Sequence, residues 1–337
     1  MDIPVSLRIK WFVTDCFYFL PFKRIRYFIW RIRRACFINK SSRFNFLDYF
    51  KSAFRKNSFM DRKPNDFQNY LSVVVIMKNE ALYIREWLEY HLMLGVQKFY
   101  VYDNESSDNL MEILQPYMEA GIVDYKYFPY TGKQVLAYND VLEKAREETY
   151  WLTAIDIDEF IVPIENKTIT DFLKNFEQYA GVEINWLTYG SSGEKHWKEG
   201  LVMERFKRHD KLDTNEGRVI KTICNPRAVF KMDVHTPFYC HFAVAVNPNM
   251  ERRKVHYMDV KQVYDKIRIN HYNTKSYDEC MTKIQKGRVD GNGEYHLSFF
   301  EARDRNDEYD GIMDEYIPLV LANIEKRRKK STELAEK

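Results

Sequence analysis

The stretch LSVVVIMKNEALYIREWLEYHLMLGVQKFYVYDNESSD, residues 71–108, decides the fold. Its first seven residues, Leu71 to Met77, form a short β-branched run of the buried-strand type. Residues 81–94 then change period. Ile84, Trp87, Leu88, His91 and Leu92 share one helical face, and Gly95 can stop the helix. A second strand follows over 97–102, and Ser107 or Asp108 can cap a helix that runs to Met118 and closes at Gly121. The alternation continues with a strand at 122–128, a helix from Gln134 to about Glu148 and a strand at 150–155. This β-α-β-α-β-α-β order predicts an α/β body, a Rossmann-like and mostly parallel sheet with helices on both faces. Beyond residue 160 the pattern loosens. Strands are expected near 181–187, 218–223, 227–231 and 266–270, and a helix over 276–287.

Outward from that core, the chain divides into a basic aromatic arm (1–68), the body (70–290) and a C-terminal helical extension (291–337). Its 337 residues allow one large domain or two ordinary ones, and 45% hydrophobic with 30% charged residues is a foldable composition. The net charge of +3 hides an asymmetry: the arm has fifteen Lys/Arg against five Asp/Glu, a net of +10, which leaves −7 on the remainder. The arm mixes Trp11, Phe12, Phe17, Phe28 and Trp30 with Arg31, Arg33 and Arg34. Two readings suit that mixture: a helix lying peripherally on an anionic membrane surface, or an arm docked on the body or a partner. Nucleic-acid binding is the weaker use of such an arm and is not expected. The longest apolar run, Cys16 to Phe22, is short and contains Pro21, so neither a signal peptide nor a spanning helix is expected. Five scattered cysteines without a CxxC pair give no disulfide or zinc framework, and a reducing, cytoplasmic setting fits best, with a peripheral place on the inner face of the cell membrane if the first reading of the arm holds.

In an open α/β sheet, ligands bind beyond the carboxyl ends of the strands. Those ends here read Lys78-Asn79-Glu80, Asp103-Asn104-Glu105 and Asp156-Ile157-Asp158-Glu159. On an extended chain residues i and i+2 point the same way, so Asp156 and Asp158 are expected to face one point with Ile157 packed behind. Two hard oxygen ligands suit Mg²⁺ or Mn²⁺, which are bound by carboxylates together with substrate phosphates. GxGxxG and GxxxxGK[ST] are both absent, as are HExxH and GxSxG, which argues against dinucleotide, P-loop, zincin and hydrolase-elbow chemistry. A dehalogenase-type phosphatase would place its Asp-x-Asp after an early strand, whereas this pair follows the fourth.

Several segments together resemble glycosyltransferase family 92, a GT-A group related to family 2. They are the opening stretch from Val73, QVLAYND (134–140), WLTAIDIDEFIVP (151–163), WLTYGSSG (186–193), VIKTICNP (219–226) and INHYNTKSYDECMTKIQKG (269–287). The resemblance covers roughly residues 70–290 and leaves out the arm. It implies a GT-A fold, a UDP-sugar donor (often UDP-galactose), a glycan or lipid-linked acceptor, and an inverting transfer. It also implies Asn79 and Glu80 near the nucleotide, Asp103 at the uracil or ribose, Asp156 and Asp158 as the metal-binding pair, and His271 completing the metal site. His235 and His241 stay as alternatives for that last role. The acceptor's proton needs a base, and Glu194 or Glu204 can supply it. Lys221 and Lys275 can meet phosphate or simply be solvated, and Trp186 and Tyr189 can stack on a sugar or pack in the core. Two other classes remain open on sequence: a sugar nucleotidyltransferase, and a non-catalytic glycan- or nucleotide-binding protein.

Overall fold

The computed structural model describes residues 61–130, 134–212, 214–240, 243, 245–252, 262–286 and 298–335. Most of the basic arm, and His241, lie outside the described residues. After a 3-10 turn at Pro64–Asp66 the chain enters β1 (Asn69–Met77), then α1 (Ile84–Met93), β2 (Lys98–Asp103), α2 (Leu110–Glu119), β3 (Val123–Tyr127), α3 (Gln134–Glu148) and β4 (Thr149–Ala154). These four strands are parallel in the order β3-β2-β1-β4.

The apolar run of β1 is continuous because the strand is buried on both faces. Leu71, Val73, Val75 and Met77 join the core under α1, with Ile84, Trp87 and Leu88, while Val74 and Ile76 join the core under α3, with Ala137, Tyr138 and Val141. Each large apolar side chain sealed in this way contributes ~1.5–3 kcal/mol.

The second half completes a nine-stranded sheet. In chain order it contains β5 (Glu159–Pro163), α4 (Ile169–Leu173), β6 (Gly181–Thr188), α5 (Val202–Arg205), β7 (Arg208–His209), β8 (Ile220–Cys224) and β9 (Val229–Lys231). Then come β10 (Phe238–Tyr239), β11 (Ala245–Val246), β12 (Ile267–His271), α6 (Tyr277–Lys286), α7 (Phe299–Arg303), β13 (Glu308–Tyr309) and α8 (Ile317–Ala335). The main path continues β4-β8-β6-β12-β5, with β11 beside β6. β8 runs antiparallel to β4 and β6, and β5 runs antiparallel to β12. β9, expected as a sheet strand, pairs only with β10. The α/β class and the mostly parallel, helix-flanked sheet are as expected. β5 was not foreseen, and neither was its pairing with β12.

The C-terminal segment is part of the body. α8 packs on α1, with the Tyr90 and Tyr316 rings 5.4 Å apart and Arg327 paired with Glu89. Asp304 and Asn306 accept the backbone N–H groups of Ser191 (2.6 Å) and Ser192 (2.7 Å). A Cβ at Gly190 would lie 2.4 Å from the Arg305 carbonyl, so only glycine permits that approach.

One buried carboxyl ties α1 to α5. Glu86 accepts the N–H groups of Val202 (2.8 Å) and Met203 (2.9 Å). Burial, partly offset by those two donors, pushes its pKa from 4.5 up to about 7. A carboxyl raised in the fold favours the native state at low pH, and that stability is lost as pH climbs from 4.5 to about 7. Glu86→Gln should flatten this slope and leave one N–H without an acceptor, costing about 1–3 kcal/mol. Urea denaturation across that range reads both effects, and an unchanged slope would exclude Glu86 as its source.

Candidate active site

The chain runs outward through β1, β2 and β3, then returns by α3 to place β4 on the other side of β1. The strand order therefore reverses between β1 and β4, where an open sheet leaves a crevice at its carboxyl ends. A cleft of about 980 Å³ opens there, its floor formed by Ile76 to Glu80 from the end of β1 and by Asp156, Ile157 and Asp158 from the end of β4.

The acidic pair sits in a turn and not on an extended strand. The Glu159 N–H donates to the Asp156 carbonyl (3.0 Å), and the Glu159 side chain accepts the Asp156 N–H (2.9 Å). Ile157 is buried, yet it lines the cleft floor between Asp156 and Asp158 and does not pack behind the pair as an extended strand would have placed it. The turn separates the two carboxylates chemically. Asp156 takes Lys221 Nζ at 3.0 Å and Gln134 Nε2 at 3.0 Å. Asp158 takes Lys283 Nζ at 2.7 Å, and its other oxygen lies 3.7 Å from His271 Nε2.

Register explains these neighbours. β12 pairs with β5 so that His271 lies opposite Glu159, and the Tyr272 N–H donates to the Asp158 carbonyl at 2.8 Å. β8 brings Lys221 to the β4 end, because Thr153 pairs with Ile223 and the antiparallel strand continues toward the turn. Lys283 reaches Asp158 from α6 while also donating to the Asn273 carbonyl (2.9 Å) and side chain (2.8 Å).

Burial opposes the charge of Asp158, yet Lys283, with Lys275 behind it, holds its pKa well below the carboxylate range. Burial lowers His271 despite Asp158, which keeps the imidazole neutral with a lone pair for a ligand. Burial raises Glu159 well above its ordinary value, against the pull of Lys221, so Asp156 is the main counter-charge of that lysine. Lys275 is buried 4.4 Å over the Tyr83 ring, and burial lowers its pKa.

A divalent ion fits Asp158 and His271, a hard oxygen and a neutral imidazole turned toward each other. Among the described residues no group of three or more His, Cys, Asp or Glu could hold a metal, so the remaining ligands would be phosphate oxygens and water. Asp156 is held aside by Lys221 and Gln134. His235 also lines the cleft, with its Nδ1 3.0 Å from the Ile220 carbonyl.

The other predicted residues separate. Asn79 and Glu80 line the cleft. Asn79 adopts a left-handed backbone (φ 52°), which asparagine tolerates, and accepts the Ser107 N–H at 2.7 Å; Glu80 pairs with Lys286. Asp103 is not among the lining residues. Its oxygens accept the Ser106 N–H (2.9 Å) and the Tyr125 hydroxyl (2.7 Å), which clamps the loop after β2. Glu194 and Glu204 also lie off the cleft wall. Glu194 is paired with Arg205 (3.2 Å) and Lys198, and Glu204 is exposed on α5. Trp186 lines the floor with its ring 4.2 Å from that of His271, whereas Tyr189 is a core residue bonded to Asp310.

Lys283, Gln134 and Asp278 were not foreseen as site residues. Lys283 and Asp278 lie within the 269–287 segment already singled out, and a helical wheel of it would have drawn notice to them. Gln134 opens the QVLAYND segment, but nothing in that segment marks it out from its neighbours as a site residue.

Among relatives, a glycosyltransferase family 92 protein of Oryza sativa subsp. japonica is 34% identical over 123 residues, 36% of this chain and 20% of its own. The galactan beta-1,4-galactosyltransferase GALS3 of Arabidopsis thaliana is 25% identical over 262 residues, 67% of this chain and 48% of its own. The chain spans only 20–25% of the length of the first curated relatives it matches. The crystal structure of S. aureus TarS 1-349 in complex with UDP-GlcNAc is 14% identical, with a TM-score of 0.32 over 58% of this chain and 62% of that one. The family model of Glycosyltransferase family 92 matches residues 73–299, well over half of the sequence, and the chain belongs to that family.

Proposed function

We propose that this chain is a metal-dependent glycosyltransferase that moves a hexose from a UDP-sugar onto a glycan or lipid-linked acceptor, with inversion. The observation that carries this reading is the turn at the sheet's switch point, where Asp158 and a neutral His271 face each other beside a lysine-bearing helix. Galactose is the hexose favoured, because two Arabidopsis thaliana relatives are galactan beta-1,4-galactosyltransferases by name.

The wall of the cleft contributes Lys275, Lys283 and Lys286, a density of positive charge suited to a diphosphate. Mn²⁺ or Mg²⁺ held by Asp158 and His271 would supply neutralisation of the charge developing on the leaving diphosphate. Lys283 stands close enough to Asp158 to keep it ionised, and Lys275 adds positive charge from a buried position. Asn79 and Glu80 border the nucleotide end of the cleft, and Lys221 with Gln134 fixes the orientation of Asp156.

The test is a panel of UDP-sugars with purified protein and Mn²⁺, scored by UDP release. Release from one donor, suppressed by chelator, is expected. Pyrophosphate formed from a nucleoside triphosphate and a sugar phosphate would favour nucleotidyl transfer instead. Absence of UDP binding would remove the nucleotide-sugar reading altogether.

A further inference from the structure

The cleft lies at the upper end of the ~300–1,000 Å³ range of small-molecule sites, which leaves room beside a donor. Its far wall is α6 together with Trp197 of the 194–198 loop. That loop is fastened to the first turn of α6: the Asp278 N–H donates to the Lys195 carbonyl (3.0 Å) and the Tyr277 N–H to the Glu194 carbonyl (3.3 Å). Asp278 Oδ2 in turn accepts the Trp197 N–H at 3.3 Å and lies 3.1 Å from His196 Nδ1.

Trp197 is the exception among the described tryptophans. Trp87 and Trp151 are sealed in the core and Trp186 is partly covered, but Trp197 is 50% exposed while lining the cleft. An indole held on an anchored loop at the edge of a polar cleft offers a flat apolar face at little ordering cost. The apolar face of a pyranose ring complements it.

Asp278 is equally distinctive among the cleft carboxylates. Glu80, Asp156, Asp158 and Glu279 are each paired with a lysine or arginine, namely Lys286, Lys221, Lys283 and Arg205. Among the described residues Asp278 has no such partner, and its Oδ1 accepts no hydrogen bond. Asp278 lines the same cleft as Asp158, five positions before Lys283 on α6, about 7.5 Å along the axis at 1.5 Å per residue.

Resting on the glycosyl-transfer reading, we propose that the α6 side of the cleft is the acceptor subsite. One acceptor sugar stacks on Trp197, and Asp278 is the catalytic base. The acceptor O–H bond breaks with its proton passing to Asp278. The oxygen bonds to the anomeric carbon, and the anomeric carbon–phosphate oxygen bond breaks with its electron pair leaving on UDP.

The experiment measures binding of wild type, Trp197→Ala, Trp197→Phe and Asp278→Asn to an immobilised panel of galacto-, gluco-, manno- and N-acetylglucosamine oligosaccharides. UDP and Mn²⁺ are present throughout, and UDP affinity is measured separately by calorimetry. Wild type should retain at least one oligosaccharide, Trp197→Ala should weaken it about tenfold, and Trp197→Phe should restore most of the loss. Asp278→Asn should still bind the oligosaccharide and UDP, yet lose about 100-fold or more in turnover. Equal binding by Trp197→Ala would overturn the subsite, as would a wild type that binds UDP and no oligosaccharide. Undiminished turnover in Asp278→Asn would overturn the base. A wild type that does not bind UDP fails earlier, at the glycosyl-transfer reading, and takes the subsite with it.

Discussion

Asp158→Asn should reduce UDP release from the accepted UDP-sugar by about 10³-fold or more, the scale of removing a group that stabilises charge on a leaving diphosphate. The carboxylate is buried, at 9% exposure, and is kept ionised chiefly by Lys283 against the cost of burial. Asparagine keeps the shape and removes the charge. Lys283 does not become an orphan, because it still donates to the Asn273 carbonyl and side chain at 2.9 and 2.8 Å. The variant should therefore fold with near wild-type stability, so the loss is one of function. Calorimetric titration of UDP with and without Mn²⁺ gives an independent readout: wild type should bind UDP more tightly with metal, and the variant should lose that difference. A variant retaining both turnover and metal-dependent UDP binding would remove Asp158 from the site.

Lys221→Met should cost about 3–5 kcal/mol of folding stability, the penalty for breaking a buried ion pair by removing one partner. Lys221 is 1% exposed and lies 3.0 Å from Asp156 and 3.3 Å from Glu159, which is itself 0% exposed. Methionine fills the volume of the lysine stem, so little cavity is left. The cost comes from two carboxyls that have lost their cation. Glu159, already raised by burial, can relax by staying protonated, whereas Asp156 retains only Gln134.

The pH dependence follows from the lysine's raised pKa. A raised lysine contributes stability that is fully present below its ordinary pKa of 10.5 and is lost as pH climbs above it. Lys221→Met should lack that alkaline slope. Adding Glu159→Gln should recover part of the loss, since the two sites are coupled. Urea denaturation of the single and double variants measures both effects. A single variant within about 1 kcal/mol of wild type would show that the pair is not a net stabiliser.

Helix and strand periods are local properties, so the first half of the fold is legible from residues alone. The run Leu71–Met77 reads as a strand, Gln134–Glu148 as a helix, and the polar ends of β1 and β4 as the edge of a binding crevice. That Asp158 and His271 belong together is implied by a resemblance spread over residues 70–290, and the structure brings them within 3.7 Å. Local pattern could not show that Asp156-Ile157-Asp158 forms a turn, because an acidic triplet after a strand is compatible with either geometry. Nor could it show that Asp103 spends both oxygens on Ser106 and Tyr125, or that Glu194 is held by Arg205. A side chain's free capacity depends on neighbours remote in sequence.

The amino-acid sequence by itself determined the α/β class and the strands and helices of the first half, and it marked the acidic residues at the ends of β1 and β4. Only the tertiary structure decided how those residues pair. Lys221 meets Asp156 across 65 positions and Lys283 meets Asp158 across 125. Antiparallel β8 brings the first pair together, and the docking of α6 after β12 brings the second. Those contacts depend on strand register and sheet order, which are set by burial of whole faces and carry no local sequence signal.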